Sequence, residues 1–388
     1  MEKENKDIPV IGIGMIGYGD MGMAHSNGYR QMPYIFWPPP AIPKLLTLCG
    51  RNESKVREAA RRFGYQGYCL DWKELVKNPD IQVFVNVGPN NIHMEPCIEA
   101  ARNGKHVVCE KPLARNKEEA KKMLDTVKKA KVRHICNFSN RMIPALALAK
   151  KMLIEEDFGQ IYHFRVNYLM DYYTYPEMPF SWRMMKDIAG SGITADLSSH
   201  SIDLARWLCG EPISVTAAIK TFVGERTLPG KPASKAKVDT DDYSMAILEF
   251  DNGAVGYLES SAVATGKRAF IGVELNAENG SIYWNFEDMC HLNIYYRNEK
   301  NKLTKGFHKI SVTQDYHPYY KAWLPFEEIP MGYNATFVHT AFHILDAAVN
   351  NTSLEPMVAT FEDGYKASVI GDAILKSSET GKKEYISY

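Results

Sequence analysis

The chain has 388 residues, enough for two or three domains that each bury a core, and its 45% hydrophobic and 24% charged residues are ordinary for a globular protein. Lysine plus arginine and aspartate plus glutamate both number 46, so the net charge is zero and argues against nucleic-acid or membrane-surface partners. The seven cysteines are scattered, which favours a reducing compartment. Because they form no C-x-x-C pair, we expect no bound metal. Residues 1–7 are charged and the next stretch is broken by glycines, unlike a signal peptide or membrane span, so we expect a cytoplasmic protein.

Buried-strand and amphipathic-helix patterns alternate through the first third of the chain. The predicted strands are residues 8–16, 45–49, 81–87, 106–109 and 133–138, and the predicted helices are 21–31, 54–63, 93–103 and 117–131. This alternation indicates a doubly wound parallel sheet. We therefore predict an α/β fold that begins with a Rossmann dinucleotide-binding domain over residues 1–138.

The pattern changes after residue 138. A helix over 144–153 precedes a long alternating strand over 161–169. Asp251-Asn252-Gly253 and Glu278-Asn279-Gly280 then interrupt alternating segments, as hairpin turns do, and two helices over 334–350 and 361–378 close the chain. Residues 139–388 are thus predicted to form an α+β domain with an open, mostly antiparallel sheet.

The turn Gly17-x-Gly19-x-x-Gly22 lies between the first predicted strand and helix. Gly17 permits the tight turn, Gly19 the close approach of a pyrophosphate, and Gly22 close packing of the helix on the strand. The helix N-terminus adds free N–H groups and a positive dipole end. We assign these glycines, with Asp20 and Met21 between them, to the binding of a dinucleotide.

The second strand ends in Cys49-Gly50-Arg51, where an acidic residue normally binds the ribose 2′-OH. Glycine removes the carboxylate that would repel a 2′-phosphate, and Arg51 suits such a phosphate or the adenine ring. The alternative for Arg51 is a solvated loop charge. We predict NAD as the cofactor, with NADP as the open alternative.

Polar residues also follow the third long strand, at Pro89, Asn90, Asn91 and His93. Asn90 is a candidate for the ribose or the nicotinamide amide, and we place Pro89 and His93 in the same cofactor-binding set. Asn91 and His93 equally suit capping of the next helix.

The triplet Glu110-Lys111-Pro112 ends a buried strand, at the sheet edge where parallel-sheet proteins bind ligands. A lysine ammonium is a compact charge whose pKa moves readily on desolvation, so Lys111 is suited to hold or relay the proton of a substrate hydroxyl. With a dinucleotide on the glycine turn, this position favours hydride chemistry on an alcohol.

Asp196, His200 and Asp203 follow two glycines at i, i+4 and i+7, which places them on one face if the segment is helical. A carboxylate one turn before a histidine orients the ring and raises its basicity, which makes His200 a candidate general base. The same spacing also suits a structural histidine in the core. Metal binding by Asp196 and His200 has no supporting motif.

Aromatic and polar residues accumulate between positions 168 and 183. Sugars present C–H faces to aromatic rings and hydroxyls to fixed polar groups, whereas aromatic runs are also common in cores. We select Tyr168, Asp171, Trp182 and Arg183 as candidates for substrate binding.

Taken together, four motifs resemble the Gfo/Idh/MocA family of sugar and polyol oxidoreductases. They are Gly17-x-Gly19-x-x-Gly22, Pro89-Asn90, Glu110-Lys111-Pro112 and Gly190-x-Gly192-x3-Asp196-x3-His200, and the similarity continues to Gly332-Tyr333 and Asp363-Gly364. Segments 36–38, 181–183 and 196–206 are similar to those of the levoglucosan dehydrogenase and glycoside 3-dehydrogenase members.

The resemblance implies that Lys111, Asp196 and His200 form the catalytic set, that these three also contact substrate, and that the Lys111–Pro112 peptide is cis. It also implies an open-faced sheet that joins copies of the chain, from a dimer to a hexamer. We add Glu110, Lys111 and Arg141 to the cofactor-binding candidates. Gly50 and Gly88 depart from the residues that the family often has at these positions.

The predicted function is NAD(P)-dependent oxidation of a ring hydroxyl, at C3, of a glucoside or related sugar. His200 accepts the proton, Lys111 stabilises the alkoxide and Asp196 orients the pair. Three alternatives remain: NAD-assisted glycoside cleavage through a 3-keto intermediate, an inositol or other polyol dehydrogenase, and a non-enzymatic nucleotide sensor. A sensor has no need of this acid–base set.

Overall fold

A computed structural model of the chain describes residues 8–323 and 329–388, and the side chain of Pro232 is not described. Residues 1–7, on which part of the expectation about targeting rests, lie outside this range. Within these ranges, none of the helices combines the length and apolar character needed to cross a membrane.

The first part of the chain forms a six-stranded parallel sheet in the order β3-β2-β1-β4-β5-β6. Its strands are β1 Val10–Ile16, β2 Ile42–Cys49, β3 Gly67–Cys69, β4 Val83–Asn86, β5 His106–Cys109 and β6 His134–Cys136. Its helices are α1 Asp20–Ile35, α2 Glu53–Phe63, α3 Trp72–Lys77, α4 Met94–Arg102 and α5 Lys117–Ala130. The predicted Rossmann sheet is confirmed, and the order reverses between β1 and β4, where such sheets bind ligands.

The second part contains a nine-stranded sheet in the order β16-β15-β14-β13-β7-β12-β11-β8-β17 and a separate β9–β10 ribbon. The strands are β7 Ile161–Leu169, β8 Pro212–Lys220, β9 Glu225–Leu228, β10 Lys231–Lys237, β11 Tyr243–Phe250, β12 Val255–Ser261, β13 Phe270–Ala277, β14 Gly280–Asn285, β15 His291–Tyr296, β16 His308–Ser311 and β17 Glu384–Tyr385. The β7–β12 pair is parallel and the other pairs are antiparallel. The predicted, mostly antiparallel sheet is confirmed, as are both hairpins.

Six helices accompany this sheet: α6 Pro144–Glu155, α7 Lys186–Ala189, α8 Ile193–Asp196, α9 Ser198–Leu208, α10 Ala335–Asn350 and α11 Phe361–Thr380. Alternation on the strands sends one face inward, as with buried Ala246, Leu248 and Phe250 on β11. The other face of this strand carries half-exposed Met245 and Ile247.

The two final helices return to the Rossmann part of the molecule. α10 packs on α1, where a side chain at Gly28 would meet the carbonyl oxygen of Phe337, and α11 packs beside the Glu-Lys-Pro loop, where Gly364 faces Leu113. Glycine therefore permits close approach at both contacts. We propose residues 1–138 and 139–388 as the two domains, with α10 and α11 joining them.

Candidate active site

Lys111 follows β5, and its peptide bond to Pro112 is cis. Its ammonium nitrogen, Nζ, donates to the Asp196 carboxylate oxygen Oδ1 at 2.7 Å and to the Asp196 carbonyl oxygen at 2.9 Å. The lysine and aspartate side chains are 16% and 26% exposed. A charge-assisted pair therefore joins the carboxyl edge of the Rossmann sheet to α8.

The second oxygen of Asp196, Oδ2, lies 3.6 Å from the Arg183 Nε and 3.5 Å from the Tyr172 hydroxyl. Burial by itself would raise the pKa of the Asp196 carboxyl, but the positive charges of Lys111 and Arg183 lower it to about 2. Asp196 is therefore ionised at neutral pH and holds the two cations near each other.

His200 lies on α9 and is only 5% exposed. The centre of its ring lies 5.9 Å from that of Phe138 and 5.7 Å from that of Tyr168. Burial, and then the charge of Lys111, lower its pKa to about 3. Within the described residues its Nδ1 has no hydrogen-bond partner. The pKa thus moves in the opposite direction to the rise expected from the sequence, because burial and Lys111 outweigh the charge of Asp196. His200 is therefore neutral near pH 7, and one ring nitrogen is unprotonated.

The expectation that one helix carries both Asp196 and His200 was wrong. α8 ends at Asp196 and α9 begins at Ser198, so the two side chains leave different helices. In the described part of the chain no hydrogen bond joins them, and the carboxylate of Asp196 points to Lys111 instead. The aspartate therefore orients the lysine directly and affects the histidine through its charge alone.

Asp241, between β10 and β11, holds the turn that leads to Asp196. Its carboxylate accepts from the Gly192 N–H, the Thr194 N–H and the Thr194 hydroxyl at 2.7 to 2.8 Å, and its carbonyl accepts from the Ile193 N–H. A side chain at Gly192 would overlap the Asp241 carbonyl. Asp241 was not among the residues predicted for the site, although an Asp-Asp pair directly before an alternating strand marks its position.

Glu110, beside the lysine, points inward. Its carboxylate accepts from His25 on α1 at 2.8 Å and from Asn137 at 2.7 Å, and Asn137 in turn accepts from Thr340 on α10. Burial would raise the pKa of Glu110, but the contacts with His25 and the charge of Lys111 lower it to about 2. This carboxylate ties the lysine loop to the helix that begins at the glycine turn, through partners that the sequence analysis missed.

The glycine turn has the geometry that a pyrophosphate needs. Gly17 has a φ of 100°, a side chain at Gly22 would meet the Gly17 carbonyl, and space is open beside Gly19. Among the described residues no side chain caps the start of α1, where Asp20 and Met21 lie, so its first N–H groups are left for a phosphate. These features fit a dinucleotide.

The end of β2 shows why a glycine replaces the usual acid. A Cβ at Gly50 would lie 2.1 Å from the ring of Tyr18, which belongs to the glycine turn and covers this position. Arg51 is exposed beside it. The aromatic ring therefore occupies the space that a side chain at position 50 would need.

Three cofactor candidates have other partners. Asn90, after Pro89, donates to the Ala189 carbonyl at 2.8 Å, and fully buried His93 contacts two main-chain carbonyls. Arg141 is 3% exposed and its guanidinium pairs with Asp203 and Asp363. All three side chains are thus engaged by partners within the protein.

The substrate candidates divide into two groups. Tyr168 lies beside His200, and Arg183 lies near Asp196 with its guanidinium 4.4 Å from the centre of the Trp182 ring. Asp171 is buried and accepts from the Tyr175 hydroxyl and from the N–H of Gly266. The first group borders the lysine–aspartate pair, whereas Asp171 stabilises the neighbouring loop.

The site thus combines a cation on a strand end, an ionised carboxylate and a neutral histidine with an aromatic and guanidinium border. Such a set suits removal of a proton from an alcohol and stabilisation of an alkoxide. No cluster of three or more metal-ligand side chains occurs among the described residues.

Residues 11–138 match the model of an oxidoreductase family with an NAD-binding Rossmann fold, and residues 146–283 match the GFO/IDH/MocA C-terminal domain. Levoglucosan dehydrogenase of Pseudarthrobacter phenanthrenivorans is 39% identical over 95% of this chain and 96% of its own. Myo-inositol 2-dehydrogenase of Thermotoga maritima is 26% identical over 69% and 71% of the two chains.

The fold agrees with these matches. A solved structure of levoglucosan dehydrogenase in complex with NADH and levoglucosan superposes with a TM-score of 0.93 at 38% identity, and covers 98% of this chain and all of the other.

Proposed function

This chain belongs to the Gfo/Idh/MocA family of oxidoreductases, and we propose that it oxidises a ring hydroxyl of a glucoside, at C3, with NAD as the acceptor. At the coarser level it is an NAD-dependent dehydrogenase that acts on a CH–OH group of a sugar, as levoglucosan dehydrogenase does. The observation that carries the proposal is the Lys111–Asp196 pair beside the neutral His200.

Oxidation of the alcohol removes a hydride from carbon, which bound NAD accepts, and a proton from oxygen. His200 takes the hydroxyl proton, because its ring is neutral at working pH. Lys111, held by Asp196, faces the oxygen that becomes negative and stabilises it. Arg183 and Trp182 border the site where the sugar ring enters.

Turnover of a panel of glucosides, levoglucosan and inositols, followed by NADH absorbance at ~340 nm, tests the proposal. We expect Lys111→Ala and His200→Ala each to lower kcat by about 100-fold or more, because each removes a group that handles the proton. Lys122→Ala, at an exposed position on α5, is the matched control. Near wild-type rates in both site variants would sink the proposal.

An inositol dehydrogenase is the second candidate, favoured by the similarity to myo-inositol 2-dehydrogenase. The same panel separates the two, since kcat/KM for the glucosides should exceed that for the inositols. Mass spectrometry of the product then identifies the oxidised carbon. A product that is free sugar without net NADH would instead indicate glycoside cleavage.

We also propose that copies of the chain associate through the outer face of the nine-stranded sheet. Half-exposed Met245, Ile247 and Val255 lie on this face of neighbouring strands β11 and β12. Sedimentation of the wild type and of an Ile247→Lys variant checks this, and an unchanged monomer in both would contradict it.

A further inference from the structure

The side chain of His93 lies between two loops that border the candidate active site. Its ring is fully buried, at 0% exposure, directly before α4. The nitrogen Nδ1 lies 2.9 Å from the Pro112 carbonyl oxygen and Nε2 lies 3.0 Å from that of Gly88. Pro112 follows Lys111, whereas Gly88 follows β4, so one ring spans the ends of two neighbouring strands.

Both partners of the ring are carbonyl oxygens, which only accept hydrogen bonds. A neutral imidazole has one N–H and donates to one of them at a time, whereas a protonated ring donates to both. Burial lowers the pKa of His93, while the two carbonyls and the nearby Glu110 carboxylate oppose this shift. In either state both nitrogens face the main chain, which leaves none for a cofactor.

The loop at Gly88 lies where the strand order reverses between β1 and β4, the place where a dinucleotide binds in such sheets. Asn86 already shapes this loop, because its side chain accepts from the Gly88 N–H and donates to the Ile92 carbonyl. Asn90 fastens it to Ala189, before the turn that carries Asp196. His93 adds the link to Pro112, and hence to the lysine.

We propose that His93 is a positioning residue that sets two loops of the site, one through each ring nitrogen, with the ring proton donated to one carbonyl at a time or, in the protonated ring, to both. Its Nδ1 bond to Pro112 holds Lys111 for proton handling, a part that rests on the proposed role of the lysine. Its Nε2 bond to Gly88 holds the β4 loop in the shape that accepts the dinucleotide. The two ring nitrogens therefore serve different kinetic steps.

Two amide variants separate these bonds. His93→Asn places an amide nitrogen about where Nδ1 lies, and His93→Gln places one about where Nε2 lies, whereas His93→Leu offers neither. We expect the Asn variant to keep kcat within about 3-fold but to weaken NADH binding about 10-fold, because the loss of one hydrogen bond to the β4 loop has an effect of about this size. The Gln variant should keep NADH affinity and lose about 10-fold or more in kcat.

For each variant, fluorescence titration measures the affinity for NADH, steady-state kinetics measures kcat, and thermal denaturation measures stability. The control is His163→Gln, at a half-buried histidine on β7. Hydrogen exchange of the amides of residues 111 and 113–115 needs no sugar, and it should rise in the Gln and Leu variants but not in the Asn variant. If the wild-type protein oxidises no sugar, the proposed function fails. The NADH affinities and the hydrogen-exchange rates would still test whether His93 positions the two loops.

Two results would overturn the inference. A structural role alone would lower kcat and NADH affinity together in the Asn and Gln variants, in step with their loss of thermal stability. A direct cofactor contact would weaken NADH binding equally in all three variants, with kcat and exchange unchanged.

Discussion

Replacement of Asp196 by asparagine removes the charge that holds Lys111 while it keeps the shape of the side chain. At 2.7 Å and an effective dielectric constant of ~20, the lysine–aspartate attraction is about 6 kcal/mol before the cost of desolvation is subtracted. The fall of the carboxyl pKa from 3.8 to about 2 gives a net value of about 2 kcal/mol for the charged form. We therefore expect Asp196→Asn to lose about 2 kcal/mol of unfolding free energy near neutral pH.

The effect on turnover should be larger than the effect on stability. An unpaired lysine samples other rotamers, and loss of a well-placed catalytic group costs about 100-fold in kcat. NADH affinity should change little, because the contacts that the structure gives the carboxylate are with Lys111, Arg183 and Tyr172 rather than with the glycine turn. Exposed Asp187, changed to Asn, is the control.

Urea denaturation from about pH 8 down to about pH 3 measures the stability part. A depressed carboxyl pKa gives a stabilisation that is complete above the unfolded value and is lost as pH falls through the folded one. The difference between wild type and variant should therefore be constant above about pH 5 and shrink below about pH 4. A variant with turnover within about 3-fold of wild type would refute the reasoning that the pair orients Lys111.

Three further changes test the surroundings of the site. Asp241→Asn should lower the free energy of unfolding by about 2 kcal/mol and reduce kcat more than NADH affinity, because it breaks hydrogen bonds to the turn before Asp196. Unchanged kinetics in a destabilised variant would contradict a positioning role. Gly50→Asp should weaken NADH binding, measured by fluorescence titration, because the new side chain displaces Tyr18; tighter binding would show that the carboxylate reaches the ribose. Arg141→Met should cost about 3 to 5 kcal/mol in urea denaturation, because it leaves the buried Asp203 carboxylate without its cation while Asp363 keeps Arg206, and NADH affinity should not change. The reverse pattern would make Arg141 a cofactor ligand, as predicted from the sequence.

Much of the architecture could be predicted from local patterns. The alternation of apolar strands and amphipathic helices led to the six-stranded sheet, and the Asp-Asn-Gly and Glu-Asn-Gly turns led to the two hairpins. The short strand β3 and the helix α3 were missed, because three- and six-residue elements are too short to show a period.

The candidate site was predicted less completely. Lys111 and Asp196 meet as expected, although 85 residues separate them. The partner assigned to Asp196 was His200, since a continuous helix would have aligned them, but the helix breaks at Leu197 and the carboxylate turns to the lysine. The brace from Asp241 was not predicted, because it comes from a distant loop.

The sequence by itself determined the family, the fold class and the residue types at the strand ends. Backbone periodicity and the steric freedom of glycine act over a few residues, so they can be read along the chain. Only the tertiary structure decided which polar and charged side chains pair with each other. His93 turned inward to two carbonyls and Arg141 to two carboxylates, because a buried polar group takes whatever partner the packing places within about 3 Å.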